Sequence, residues 1–294
     1  MGHTHSKYAR KKNPNGHNAV PAAALLPGGI KLWHDCAGAD VDICFVHGLA
    51  GNRDSTWTAE GQTAPWPELL LAPKLPGARL LAYGYDAAAS SASGLHDHAS
   101  NFLGDLVGDR RRAEAKRRPL VFVAPCLGGP VCEQAVLWSR NNPEEHLRDV
   151  FDSFKGIVFM GTPHRGTRMA GWARNSTNKT LLSLLREDDA LLKVLRTQFA
   201  LMMRELRESG RRVEAICFYE EFGTSGVGII VTKESATVES FQAVPIHSDH
   251  RGMVRFASEE DDGLDRVFGE LKRWKDDIRD SIAQSAHVNA SQRR

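Results

Sequence analysis

The chain has 294 residues, 41% hydrophobic and 25% charged, which is the balance of a soluble globule large enough for one α/β domain or two small ones. A net charge of +2, with no aromatic interleaving among the basic residues, excludes an electrostatic nucleic-acid binder. No run of about 18 apolar residues could span a bilayer. The five cysteines (Cys36, Cys44, Cys126, Cys132, Cys217) are odd in number and fall mostly in predicted strands or helices, so free thiols in a reducing, intracellular setting are expected.

Met1-Gly2-His3-Thr4-His5-Ser6 fits the N-myristoylation pattern, which makes Gly2 a lipidation candidate. Lys7, Arg10, Lys11 and Lys12 follow, and a basic cluster is the usual second contribution to an anchor that one acyl chain makes only marginally. The same residues also read as an unmodified basic tail. The expectation is thus a cytoplasmic protein, with peripheral membrane contact if Gly2 is acylated. Residues 1–38, rich in Pro, Gly, Asn and His, read as a loose tail. The folded domain is expected over 39–284, with 285–294 as a polar tail.

Val41 to Val46 is an apolar run but for Asp42, ended by His47-Gly48, as expected of a strand buried on both faces. A glycine-bearing loop, a short helix at Trp66 to Leu71 behind Pro65, and a strand from Arg79 to Tyr85 follow. Residues 90–115 are helix-compatible. Leu120 to Ala124 is the next strand, a helix covers Val131 to Ser139, and Lys155 to Met160 is a strand ending in Gly161-Thr-Pro-His-Arg-Gly166. Residues 167–210 hold leucines at helical spacing with Asp188 and Asp189 as N-cap candidates. That segment reads as a helical cap inserted between strands or, equally, as ordinary crossover helices. Val213 to Tyr219 and Phe241 to Ile246 complete the strands, and an amphipathic helix runs from about Asp262 to Ala283. Alternating strands and helices imply a doubly wound, mostly parallel α/β sheet.

The turn Ala124-Pro125-Cys126-Leu127-Gly128-Gly129 joins a strand to a helix and has the shape of a nucleophile elbow, Gly-x-Ser-x-Gly, with Ala for the first Gly and Cys for Ser. Small neighbours are needed around such a strained turn, and Ala124, Gly128 and Gly129 supply them. The positive end of the following helix favours a thiolate. A buried structural cysteine in a glycine-rich turn fits the same residues.

In an open parallel sheet, ligands bind at the carboxyl ends of the strands. The polar groups expected there are His47, Asp86, Cys126, His164, Glu220, Glu221, His247 and His250. A nucleophile needs a base, and the base needs an orienting carboxylate. The order nucleophile, acid, histidine is met by Cys126, Glu220 or Glu221, and His250. Glu220 is preferred because it directly ends its strand. His250 is preferred to His247 because it opens a helical stretch that could turn the ring inward. Asp86 is a runner-up acid, and His47 and His164 read as loop-fixing residues. The backbone N–H groups of Leu49 and Leu127 are candidates for an oxyanion hole. No Cys/His spacing resembles a zinc site and no glycine loop resembles a phosphate cradle, so no metal or cofactor is expected.

Phe45-Val-His-Gly-Leu-Ala-Gly51, Trp66-Pro67, Tyr83-Gly-Tyr85, Leu127-Gly-Gly129, Gly161-Thr-Pro-His-Arg-Gly166, Phe218-Tyr-Glu220, Lys233-Glu-Ser235 and Asp249-His250 together resemble lipase- or serine-esterase-like α/β-hydrolases of the fungal type. Such domains also begin fungal immune-receptor-type proteins. The resemblance spans about residues 41–275 and implies the acid at Glu220, the base at His250 and an acyl substrate. It departs at the elbow, where the family usually has Gly-His-Ser-Leu-Gly-Gly. A Cys-His-acid site resembles that of the dienelactone hydrolases and implies activated esters, lactones or thioesters as substrates for hydrolysis or acyl transfer. The altered elbow equally admits a hydrolase fold used for ligand binding or for rearranging a natural-product intermediate. Pro125, which lacks an N–H and restricts Ala124, is the hardest departure to reconcile with an elbow.

Overall fold

The computed structural model describes residues 28–49, 51–87, 93–167, 178–187 and 189–291. Among the described residues seven strands are formed: β1 Gly29–His34, β2 Val41–Val46, β3 Ala78–Gly84, β4 Leu120–Pro125, β5 Phe154–Met160, β6 Glu214–Glu220 and β7 Gln242–Ile246. They make one sheet in the order β1-β3-β2-β4-β5-β6-β7, parallel throughout except for β1, which pairs antiparallel with β3. All residues of β2, β3 and β4 are buried, so their apolar runs, broken only by the ion-paired Asp42 and Arg79 near the amino ends, are explained by cover on both faces.

Period-2 alternation sorts the strand side chains into two cores. Cys44, Val46, Leu81, Phe122, Ala124 and Phe159 face α1 (Leu95–Arg112), α2 (Gly128–Arg140) and α5 (Ala190–Glu208). Ile43, Phe45, Leu80, Val121 and Val123 face Trp57, Trp66 and α7 (Asp262–Ser291). Trp57 and Trp66 both pack edge-on against Phe45. Among the described residues the remaining α-helices are α3 (Glu145–Ser153), which the sequence patterning does not reveal, and the short α4 (Lys179–Leu184) and α6 (Lys233–Ala236).

One expectation is corrected and one open alternative is decided. The loose tail read from the sequence runs to residue 38, yet Gly29–His34 is a sheet strand, with Trp33 buried against Phe45 and Trp57. Its polar surroundings hide it in sequence because an edge strand buries little of itself. The second concerns residues 167–210, which read equally as a helical cap or as crossover helices. Its longest element, α5, is a crossover helix lying on the sheet, with Phe199 edge-on to Phe154 and Phe159. Its buried stripe, Leu192, Leu195, Phe199, Met202 and Leu206, enters the same core as α2. Asp189 does cap it, accepting from the N–H groups of Leu191 and Leu192. Residues 168–177 and 188 lie outside the described residues. α7 extends past the expected end of the last helix, to Ser291.

At the amino ends of the strands the fully buried Asp42 is paired with Arg118 at 2.9 Å and with Arg110, whose guanidinium also donates to the Arg118 carbonyl. This network ties the end of α1 to the sheet, far from the carboxyl edge where the loops converge.

Candidate active site

The elbow follows from sterics at the end of β4. Cys126 has φ of +49°, the left-handed region that costs a residue with a side chain on the order of 1–2 kcal/mol. Its N–H donates to the Met160 carbonyl at 3.1 Å, and its carbonyl accepts from Gly129 at 3.2 Å, which hold the turn. A β-carbon on Gly128 would collide with the Val46 carbonyl oxygen, and one on Gly48 would lie 2.8 Å from the Cys126 β-carbon. The small residues are therefore required by close approach of the β2 and β4 loops.

Pro125 is accommodated. Cys126 donates towards β5, so the missing N–H of Pro125 faces the β2 side, where pairing with β4 ends two residues earlier at Phe45 and Val123. The extended backbone that a following proline demands is what Ala124 has in the strand.

The thiol of Cys126 is hydrogen-bonded to the His250 ring. The other side of that ring meets β6: Nδ1 of His250 lies 2.8 Å from Oε2 of Glu220, both groups nearly fully buried. The second carboxylate oxygen, Oε1, accepts from the N–H groups of Ile230 and of Val231, the latter at 2.9 Å. Gly161, at φ +58°, makes room for the imidazole; a β-carbon there would sit 2.9 Å from two ring atoms. Burial disfavours an imidazolium at His250, but Cys126 and Glu220 outweigh it and push its pKa up to about 10. The imidazole is thus held protonated at neutral pH between a sulfur and a carboxylate.

Cys126 and His250 border a cleft of about 220 Å³, together with Gly48, Leu49, Thr56, Arg251 and Arg255. Leu49 is buried beside it, and Leu127 is the buried N-cap residue of α2. His47 fixes the Leu49 loop: its ring stacks on Tyr85, Nε2 accepts from the Tyr85 N–H at 3.1 Å, and Nδ1 donates to the Gly48 carbonyl. Because the backbone N–H can only donate, the proton of this histidine is on Nδ1. Burial pushes its pKa down to about 4, so it is neutral.

The other candidate residues lie elsewhere. Glu221 and His247 pair with each other at 3.1 Å on the surface, outside the cleft. Strand alternation separates Glu220, directed inward, from Glu221, directed outward. Asp86 lies near His98. Gly2 falls outside the described residues.

A second Cys-His-acid array was not anticipated. Cys217 Sγ lies 3.9 Å from Nε2 of His164, whose Nδ1 is 3.4 Å from Glu133 Oε1, and the pair pushes the histidine up to about 9 against the effect of burial. It too is triad-like, but all three residues are at most 2% exposed, and Cys217 sits within the regular strand β6. This array joins α2 to the loop after β5. The N–H groups of Ile230 and Val231 on Glu220 were also missed, since no residue type marks a backbone donor; the only cue was an apolar piece inside a glycine-rich excursion. Among the described residues no cluster of three or more His, Cys, Asp or Glu is placed to hold a metal ion, and no helix is long and apolar enough to cross a membrane.

No family model matches the chain. Protein SERAC1 of Homo sapiens is 25% identical over 241 residues, covering 73% of this chain and 36% of that protein. The Mus musculus protein of the same name is 26% identical over 181 residues, covering 54% and 27%. The chain therefore spans about a third of the length of the curated relatives it matches. Among solved structures, phospholipase PlaB from Legionella pneumophila superposes with a TM-score of 0.57 at 12% identity, over 85% of this chain and 65% of that one. The Bacillus licheniformis lipase BlEst2 in its propeptide form gives 0.56 at 17%, over 78% and 51%. With the sheet order, the elbow and these superpositions together, the fold is that of the α/β-hydrolases.

Proposed function

We propose that the chain is an acyl-group hydrolase or acyltransferase that works through a thioester at Cys126. The observation that carries this reading is the array itself: a cysteine in left-handed backbone at a strand-to-helix turn, bonded to a histidine that is ion-paired to a carboxylate, and open to a cleft. In a cysteine-histidine couple the nucleophilic state is thiolate beside imidazolium. The thiolate attacks the acyl carbonyl and forms a C–S bond. The oxyanion is taken by the N–H groups of Leu49 and Leu127. Collapse breaks the bond to the leaving group, which takes the proton from His250. Neutral His250 then removes a proton from water, an alcohol or an amine as that nucleophile attacks the thioester. The acyl group departs with it, and thiolate and imidazolium are restored. Glu220 keeps the imidazole oriented throughout, itself fixed by Ile230 and Val231.

Activated esters, lactones and thioesters are the substrate classes suited to a thiolate. The test is turnover of acyl thioesters, lactones and simple esters by wild type and Cys126→Ala, with mass spectrometry of trapped acyl-protein. An acyl adduct on Cys126 and loss of turnover in the variant are expected. A fully active Cys126→Ala, or a Cys126 no more reactive than Cys36, would instead favour a hydrolase fold repurposed for binding or rearrangement.

For the amino terminus we propose a myristoyl group on Gly2 that, with Lys7, Arg10, Lys11 and Lys12, gives a cytoplasmic protein peripheral membrane contact. Gly2→Ala should release it from membranes; an unchanged distribution would sink the idea.

A further inference from the structure

The cleft beside Cys126 has a cationic and hydroxyl-bearing wall that the acyl chemistry does not use. His250 is followed by a tight turn, Gly252–Val254, flanked by Arg251 and Arg255, both exposed and both bordering the cleft. The turn is held from several sides. Asp249 accepts from the N–H of Gly252 at 2.8 Å, the Arg255 N–H donates to the Gly252 carbonyl at 2.9 Å, and Trp66 donates its indole N–H to the Val254 carbonyl at 3.0 Å. The start of the Arg255 side chain is therefore fixed in space. Its Nε donates to the Thr56 carbonyl at 3.4 Å, and it has no carboxylate partner among the described residues.

Thr56 supplies a second, independent observation. It is 8% exposed and borders the same cleft, and its hydroxyl has no hydrogen-bond partner among the described residues. A buried hydroxyl left unpaired is costly, and groups of this kind are normally satisfied by protein, water or ligand. Glu220, the carboxylate nearest the cysteine, is already committed to His250 and to two N–H groups. Among the described residues, the side-chain polar capacity left beside the sulfur is thus that of the Arg255 guanidinium and the Thr56 hydroxyl.

We propose that the substrate of this site, on the acyl-transfer reading above, carries an anionic group, carboxylate or phosphate, close to the scissile carbonyl. Arg255 receives it with the Thr56 hydroxyl, and Arg251 adds positive charge. The reach is set by the cleft: a compact space of about 220 Å³ is on the order of 7 Å across, so sulfur and anion site must be bridged by a short linker. A carboxylate a few bonds from a thioester, or the phosphate of an acylated glycerol phosphate, meets that limit. The phosphates of a coenzyme A thioester, at the far end of the pantetheine arm, do not.

The experiment compares donors with one common acyl chain: a neutral thioester of N-acetylcysteamine, the thioester of 3-mercaptopropionate, the coenzyme A thioester, and a monoacylglycerol beside its phosphate. In wild type, kcat/KM for the mercaptopropionate or glycerol-phosphate member should exceed that of its neutral counterpart, which also tells carboxylate from phosphate. Arg255→Gln should lower this anionic-to-neutral ratio about tenfold, the size expected for one charged hydrogen-bonding partner. A ratio of one in wild type, or a ratio untouched by Arg255→Gln, would overturn the proposal. A coenzyme A thioester that matches the short-linked anions and loses as much in Arg255→Gln would overturn the short linker.

A binding arm separates this from failure of the acyl-transfer reading. Calorimetry of the mercaptopropionate thioester and the acylglycerol phosphate with Cys126→Ala, and with Cys126→Ala carrying Arg255→Gln, needs no turnover. Binding weakened about tenfold by the second substitution supports the anion site even if no donor is cleaved. Equal binding by the two proteins counts against it even if thioesters are cleaved at Cys126.

Discussion

Replacing Cys126 by glycine and by alanine, in separate variants, isolates the backbone strain of the elbow. Both changes remove the sulfur, so its lost contacts are common to the pair. Alanine keeps a side chain at φ of +49° and with it the cost of about 1–2 kcal/mol; glycine does not pay it. Against that relief stand the greater unfolded-state freedom of glycine, about 0.5–1 kcal/mol, and the lost burial of one methyl, about 0.8 kcal/mol. The terms nearly cancel, so Cys126→Gly should match Cys126→Ala within about 0.5 kcal/mol. Cys132 provides the reference, being fully buried within α2 in ordinary helical backbone. There nothing offsets the penalty, and Cys132→Gly should fall about 1.3–1.8 kcal/mol below Cys132→Ala. Urea denaturation of the four variants reads the two differences, and thioester turnover reads the chemistry, which both Cys126 variants should lose. A glycine penalty at position 126 equal to that at 132 would refute the strained elbow.

Three further outcomes follow from the same geometry. Glu220→Gln should lower turnover by about two to four orders of magnitude, because the imidazole loses its orienting charge, and His250 should titrate well below the value of about 10 that it has beside the carboxylate. Proton NMR titration with steady-state kinetics checks both, and an unmoved His250 would count against the ion pair. His47 takes up its proton near 6.5 when unfolded but only near 4 when folded, so stability should fall as pH drops from about 6.5 to 4, by about 3 kcal/mol from this group. His47→Asn should flatten that slope in denaturant titrations across pH, and an unchanged slope would assign the acid sensitivity elsewhere. Asp42→Asn leaves buried arginines without their partner and should cost about 3–5 kcal/mol in unfolding free energy. Alkylation of Cys126 in the folded protein should stay at the wild-type rate, since the network lies at the opposite end of the strands.

Much of the architecture was legible because burial on two faces writes itself plainly. Leu120–Pro125 is an uninterrupted apolar run, Val41–Val46 and Phe154–Met160 are broken only by Asp42 and Lys155 near their amino ends, and the glycines after them mark where the chain must turn tightly. The edge strand Gly29–His34 was missed because an edge demands little apolar length. The helices expected to form a cap could not be told from crossover helices, since periodicity reports a buried stripe and not what covers it. Packing of Phe199 on Phe154 and Phe159 made that choice.

The cysteine at the turn, the order of acid and histidine after it, and the small residues around it are properties of the sequence alone. Chemistry and sterics set them residue by residue. What only the folded chain decided was partnership. Two cysteines each find a histidine and a glutamate, and nothing in residue type ranks Cys126, His250 and Glu220 above Cys217, His164 and Glu133. The difference is one of position: the first cysteine leaves its strand in left-handed backbone beside a cleft, while the second remains within its strand and is sealed on all sides.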